Sequence, residues 1–156
     1  MKLQNIQIFL LRLALGALFL HLGMGKLNEG WIRSSSSLME DLQNFQKTAT
    51  GLHLRYLAEF AIPYAGAWSK FIALGEAALG ISLLSGLLVR FSSALGIIMV
   101  LNLNAGAGNL FTWNFFWSPW AAMILSGLLA MMLSGAGRWF GIDQFLSKSK
   151  PRSIFW

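Results

Sequence analysis

A carboxylate set inside a long apolar run decides most of what this chain can become. Residues Ala73 to Arg90 read ALGEAALGISLLSGLLVR, apolar and punctuated by glycine, with Glu76 well inside and Arg90 at the end. A charge within a membrane-length segment is expensive and normally faces a partner or a cavity. Taken as a membrane helix, this segment makes Glu76 the residue that the other helices must accommodate. The rest of the chain supports a bilayer as its solvent. Only 12% of residues are charged and 56% are hydrophobic, whereas a soluble domain carries about twice that charged fraction. The net charge of +6 then reflects cations near anionic headgroups rather than nucleic-acid binding. With no cysteine, disulfides, thiol redox chemistry and thiolate metal sites are all excluded. Any redox role uses a bound cofactor or a partner.

The apolar runs predict an all-α integral membrane protein, a four-transmembrane-helix bundle with spans at about 6–26, 68–89, 91–104 and 118–133. A signal peptide is the rival reading of the first run. That run is long for an h-region, and Gly23-Met24-Gly25-Lys26 is a poor cleavage site. Between the first two spans, residues 37–62 read as an amphipathic helical insert lying on the membrane or the bundle. Ser37-Leu38-Met39-Glu40 has capping-box spacing, and Leu38, Leu42, Phe45, Ala49 and Leu52 recur at helical period. A break falls near Gly51, and a second short helix over 53–60 ends at Pro63.

Arg90 and Ser92-Ser93 mark the turn between the second and third spans. The sequence NAGAGN at 104–109 lacks the Lys and Ser/Thr of a phosphate loop and reads as a helix end. TWNFFWSPW at 112–120 is an aromatic belt leading through Pro119 into the fourth span. A basic tail, 135–156, carries Arg138, Lys148, Lys150 and Arg152, with an amphipathic piece around 140–146. Four spans put these cations with Lys2 and Arg90 on one side, so both termini are expected in the cytoplasm, in a multi-pass inner-membrane protein.

At about 1.5 Å of rise per residue, Glu76, Asn102 and His21 fall in the outer half of the bilayer, and Arg12 lies nearer the cytoplasm. A hydrated or ligand-holding layer, lined by the first three spans, is expected there. Rotation separates the two faces of the first span. Arg12, Gly16, Phe19, Gly23 and Lys26 share one face, while His21 points the opposite way with Ala14 and Ala17. One face packs in the bundle; the other meets a neighbouring subunit or a cofactor.

Structural readings stand beside the functional ones. Glu76 pairs with Lys26 or with a side-chain donor and locks the bundle. Arg12 snorkels to the headgroups. A lone intramembrane histidine such as His21 is more often hydrogen-bonded packing than a haem or pigment ligand. Asn102 and Asn104 bond across helices. Trp113, Trp117 and Trp120 anchor at the interface, with a quinone-ring contact as the rarer use. No HExxH pair, Ser-His-Asp arrangement or paired inward carboxylates is present, so neither a self-sufficient hydrolase nor a bound metal is expected.

Three stretches carry a family resemblance. The first is Arg12-Leu13-Ala14-Leu15-Gly16, continuing through Phe19, His21, Gly23 and Gly25-Lys26-Leu27. The second is Gly75-Glu76, then Gly80, Gly86 and Leu88-Val89-Arg90. The third is Gly135-Ala136-Gly137-Arg138, then Gly141-Ile142-Asp143. In order and spacing the chain resembles the DoxX/DoxD-like family of small four-helix membrane proteins. The resemblance implies an inner-membrane bundle associated with quinone-linked oxidoreduction. Its DoxD branch contains a subunit of thiosulfate:quinone oxidoreductase that works with a second subunit, and the long polar insert is closer to that branch. Carried over, the residues of interest are Arg12, His21, Lys26, Glu76, Arg90, Arg138 and Asp143.

Two functions follow from different classes. One is an accessory subunit of a larger respiratory or photosynthetic electron-transfer complex, in contact with lipid and other membrane subunits. The apolar ending Ser153-Ile154-Phe155-Trp156 suits docking of that kind. The other is a quinone-interacting redox subunit. There Lys26 or His21 donates to a quinone oxygen, Glu76 relays protons, and Asn102 or Trp120 orients the ring. Arg12, Arg90, Arg138 and Asp143 serve structure in either case. Nothing in the chain holds an electron by itself, which favours the partner-dependent reading. A transporter ranks third, because discontinuous helices and repeats are not visible.

Overall fold

A computed structural model describes residues 3–112, 119–138 and 140–149, and these are helices joined by short turns. In chain order they are α1 (Leu3–Asn28), α2 (Ser36–Gln46), α3 (Gly51–Tyr56), a π-helical turn (Leu57–Ala61), α4 (Ala65–Ser85), α5 (Val89–Gly106), α6 (Pro119–Ser134), a 3-10 turn (Ala136–Arg138) and α7 (Asp143–Ser149). Three of them, α1, α4 and α5, are long and apolar enough to cross a membrane. The expected fourth span, α6, is apolar and has 16 residues among those described. That is about 24 Å of helix, against a hydrocarbon layer of about 30 Å. The belt residues Trp113 and Trp117, together with Lys2, Lys150, Arg152 and the stretch Ser153 to Trp156, lie outside the described residues.

The bundle is organised by α1 against α4. A Cβ placed on Gly23 would lie 2.4 Å from the Ala77 backbone nitrogen, and one on Gly80 would lie 2.4 Å from that of Leu20. The two backbones touch because these positions carry no side chain. In hydrocarbon, where apolar surface gains nothing by leaving lipid, such close packing is the main attraction between helices. Gly80→Val therefore separates α1 from α4. It is expected to destabilise the protein by about 1–3 kcal/mol, measured by thermal unfolding in detergent. Gly25→Ala, which meets no atom within 4 Å, does not lower the transition.

Two cores flank this contact. Leu15, Phe19, Leu79, Leu83, Met99 and Leu128 fill the space among α1, α4, α5 and α6. Trp31, Leu38, Leu42, Leu57, Ala61 and Ile72 form the second, beneath the insert. Helix α2 contributes Leu38 and Leu42 to it and exposes Glu40, Asp41 and Gln43. Its start differs from expectation: α2 begins at Ser36 with Ser35 at the N-cap, and the capping box does not form. Ser34 takes over locally, its Oγ accepting from the Ser36 backbone N–H at 3.2 Å.

The turn between α4 and α5 also differs. Helix α4 stops at Ser85, and the turn is Gly86 to Leu88, ahead of Arg90. Gly86 takes the left-handed C-cap conformation, φ +71°. Ser92 and Ser93 lie inside α5, where Ser92 meets Ser82 Oγ at 2.7 Å and donates to the Leu88 carbonyl at 3.1 Å. Leu88 has φ +53°, a conformation that costs a leucine about 1–2 kcal/mol. A distant residue holds it there. Asp143, fully buried, accepts from the N–H groups of Leu88 (2.7 Å) and Val89 (3.1 Å) and so caps α5.

Arg12 overturns the snorkelling expectation. It is fully buried and donates to the carbonyls of Ala136 (2.9 Å) and Phe140 (3.0 Å), with the Phe9 ring 5.2 Å from its guanidinium. Asp143 is near enough for the two charges to interact. The tail folds onto the bundle end, Ile142 N–H donating to Ser85 (3.2 Å) and Asp143 N–H to Gly86 (3.0 Å). Residues from all three quoted stretches thus meet in one buried latch. The guanidinium stays inside because carbonyls and a carboxylate are nearer than any headgroup. Gly135 seats Arg90, whose Nη2 lies 3.2 Å from where a Cβ would be, and Arg138 is exposed on the turn.

Candidate functional site

About 21 Å along α1 from Arg12, at the other end of the bundle, Lys26 and Glu76 form an ion pair. Lys26 Nζ lies 2.6 Å from Glu76 Oε2, and the side chains are 19% and 3% exposed. The last turn of α1 supplies the cation and the middle of α4 the carboxylate, at the height where Gly23 and Ala77 bring the backbones together. A charge pair this enclosed attracts strongly, yet it also loses much hydration, so it is held by geometry more than by net energy.

Trp31 is the neighbour on one side. Its ring centroid is 5.5 Å from Lys26 Nζ, a cation–π contact. The ring is fixed by its own bonds: Nε1–H donates to the Glu29 carboxylate at 3.0 Å, and the backbone carbonyl accepts from Ser69 Oγ. Gly30, at φ +81°, makes the turn that returns the chain over α4.

Beyond Trp31 is a cavity of about 120 Å³, lined by Trp31, Leu42, Tyr56, Trp68, Ile72 and Asn102 among others. Helices α2 and α3 roof it, and α4 and α5 form its floor. Space of this order admits roughly one six-membered ring. Its walls are aromatic and aliphatic, with few polar groups. Asn102 Nδ2 donates to Tyr56 Oη at 3.0 Å, leaving the phenolic proton available to donate elsewhere. Burial pushes the Tyr56 phenol up from its ordinary 10.0, with the Asn102 hydrogen bond pulling the other way. Whatever the neutral phenol contributes is therefore present below about pH 10 and is lost as pH rises through the raised folded-state value.

The Trp68 indole N–H is buried and has no hydrogen-bond partner. Its ring packs edge-on against Phe60 (5.4 Å) and Phe71 (5.8 Å). A buried donor left unmade costs about 1–3 kcal/mol, and an acceptor that reached the indole N–H would recover that. His53 braces the same region, bonding to the Gly106 carbonyl at 3.0 Å and stacking on Phe111 at 5.4 Å.

Of the residues singled out in the sequence, Lys26 and Glu76 meet directly and Asn102 lines the cavity. His21 and Trp120 do not join them. His21 lies on the exposed face of α1, and Trp120 is 75% exposed at the start of α6. Tyr56, Trp68, Trp31 and His53 were not singled out. The only signal they offered was an unusual density of aromatic residues beside a polar insert.

The family profile described as DoxX matches residues 7–109, from α1 through α5. The ion pair, Trp31 and the cavity all lie within the matched part, while α6 and the latch residues Gly135 to Asp143 lie beyond it. No curated protein and no solved structure matches the chain.

Proposed function

Because the chain belongs to the DoxX family, we propose that it is a small subunit of a membrane electron-transfer assembly that holds a quinone head in the cavity beneath its insert. A partner subunit supplies the electrons. The observation that carries this reading is an aromatic cavity lined by Trp68, whose buried indole N–H has no partner among the described residues, and by Tyr56, whose hydroxyl accepts from Asn102 and keeps its proton to donate. A quinone has a flat apolar ring and two carbonyl acceptors, which these two donors fit. When bound, it supplies two-electron, two-proton acceptance. Trp68 and Tyr56 orient the ring, and the aromatic walls exclude water. The Lys26–Glu76 pair, reached past Trp31, holds a proton at the Glu76 carboxylate or the Lys26 ammonium close to the site.

The same reading takes α6 as a short fourth crossing and α2 as a helix lying along the outer surface. An even number of crossings puts the latch end, with Arg90, Arg138 and Lys148, on the cytoplasmic side of the inner membrane with both termini.

The test is binding of a short-chain quinone analogue to the purified full chain, read by tryptophan quenching. Trp68→Phe and Tyr56→Phe each remove one donor and are expected to weaken binding about five- to tenfold. Leu133→Ala, on the exposed face of α6, leaves it unchanged. An analogue that binds equally well to both donor variants, or does not bind the native chain, removes the quinone from this site.

A further inference from the structure

The exposed face of α1 is spaced at three and four residues, as are those of α4 (Ala67, Phe71, Leu74, Ala78, Ile81) and α5 (Phe91, Leu95, Ile98), and differs from them in composition. Gln7, Leu10, Ala14, Ala17, His21 and Met24 are all exposed and alternate at spacings of three and four, and the pattern continues at Asn28. This is a heptad seam, the period of helices that wind around a parallel neighbour. From Gln7 to Asn28 it runs about 32 Å, the full hydrocarbon thickness.

Its composition separates it from the other exposed faces. Helix α4 presents Phe71, Leu74 and Ile81, and α5 presents Phe91, Leu95 and Ile98, which are side chains suited to lipid. Ser126 is exposed on α6 but donates to its own helix at Met123 (2.9 Å). On α1, by contrast, the side chains of Gln7, His21 and Asn28 make no hydrogen bond with the described residues. His21 lies within the hydrocarbon, where a bare imidazole is costly, while Gln7 and Asn28 stand at its two edges. The spacing places these three residues at the same heptad position.

We propose that α1 packs, parallel and in register, against α1 of a second copy of this chain across a two-fold axis along the membrane normal. Copies inserted in one orientation can meet symmetrically only in this way, and each seam residue then faces its own counterpart. That requires side chains able both to donate and to accept. Gln, Asn and neutral His satisfy this, whereas a charged residue would repel itself, and the seam contains none. Ala14 and Ala17 at its centre allow the two backbones to approach closely. The ion pair and the cavity lie on other faces and stay accessible in the dimer. The inference therefore does not rest on the quinone reading.

The absence of cysteine makes the test direct, since each single-cysteine variant of the full chain reports one position in native membranes. On mild oxidation, Ala14→Cys and Ala17→Cys are expected to give covalent dimers. Ile81→Cys and Ile98→Cys, on the lipid-facing sides of α4 and α5, are expected to give on the order of tenfold less. Adding Ala14→Ile to Ala17→Cys puts a branched side chain in the seam and lowers dimer yield about tenfold. Monomers at both seam positions, or equal yields at all four positions, overturn the proposal. So does mass analysis that finds a different protein cross-linked at Ala17→Cys.

Discussion

Asp143→Ala is expected to cost about 3–5 kcal/mol of stability. Three losses coincide. The N–H groups of Leu88 and Val89 lose the acceptor that caps α5, a loss worth about 1–2 kcal/mol in comparable helices. Arg12, fully buried, loses its nearest negative charge. Leu88 also loses the bond that holds it at φ +53°, so the α4–α5 turn relaxes. Asp143→Asn keeps one acceptor and removes only the charge, and should cost less than half as much. Arg12→Met combined with Asp143→Asn should recover part of the loss, because no uncompensated charge then remains inside. Chemical unfolding of the detergent-solubilised chain, followed by tryptophan fluorescence, measures all three variants. A midpoint for Asp143→Ala within about 0.5 kcal/mol of the native chain, the range of an ordinary surface change, would mean that the latch carries no load.

The same latch shows where sequence reading stops. The faces of α1 were legible because 100° per residue follows from helix geometry alone. Lys26 shares a face with Gly23 and Gly16 and turns inward, while His21 turns out, and the structure has both arrangements. Arg12 lies on the same inward face, yet its partners are carbonyls more than 120 residues later. No local pattern announces them, so headgroups seemed the nearer destination. The α4–α5 turn was misplaced for a related reason: its cap is a side chain from α7, and without it Arg90 and the two serines look like the better breakers. The cavity was hidden differently. It exists because the insert folds back over α4 and α5, and its most informative atom, the Trp68 N–H, is notable for a bond it does not make. A sequence records which groups are present, not which are left unsatisfied.

Lys26→Met should destabilise the protein by about 3–5 kcal/mol, because it leaves the Glu76 carboxylate 3% exposed and without its counter-charge. Glu76→Leu alone strands the ammonium, but less severely, since Lys26 is 19% exposed and can reach toward Trp31 and water. The double variant Lys26→Met/Glu76→Leu leaves no unpaired charge at this contact and is expected near native stability, as buried pairs replaced by apolar side chains often are. That recovery separates a clamp from a working site. If the pair only locks α1 to α4, membranes carrying the stable double variant with its partner subunits reduce added quinone at the native rate. If the pair holds a proton for the cavity beyond Trp31, the protein folds but quinone reduction falls by about a hundredfold or more, the usual contribution of a positioned acid or base. Quinone-analogue binding should change little in the same variant, because the donors at Trp68 and Tyr56 remain. A fall in rate with stability and binding retained assigns the pair to proton transfer; a native rate assigns it to the helix contact alone.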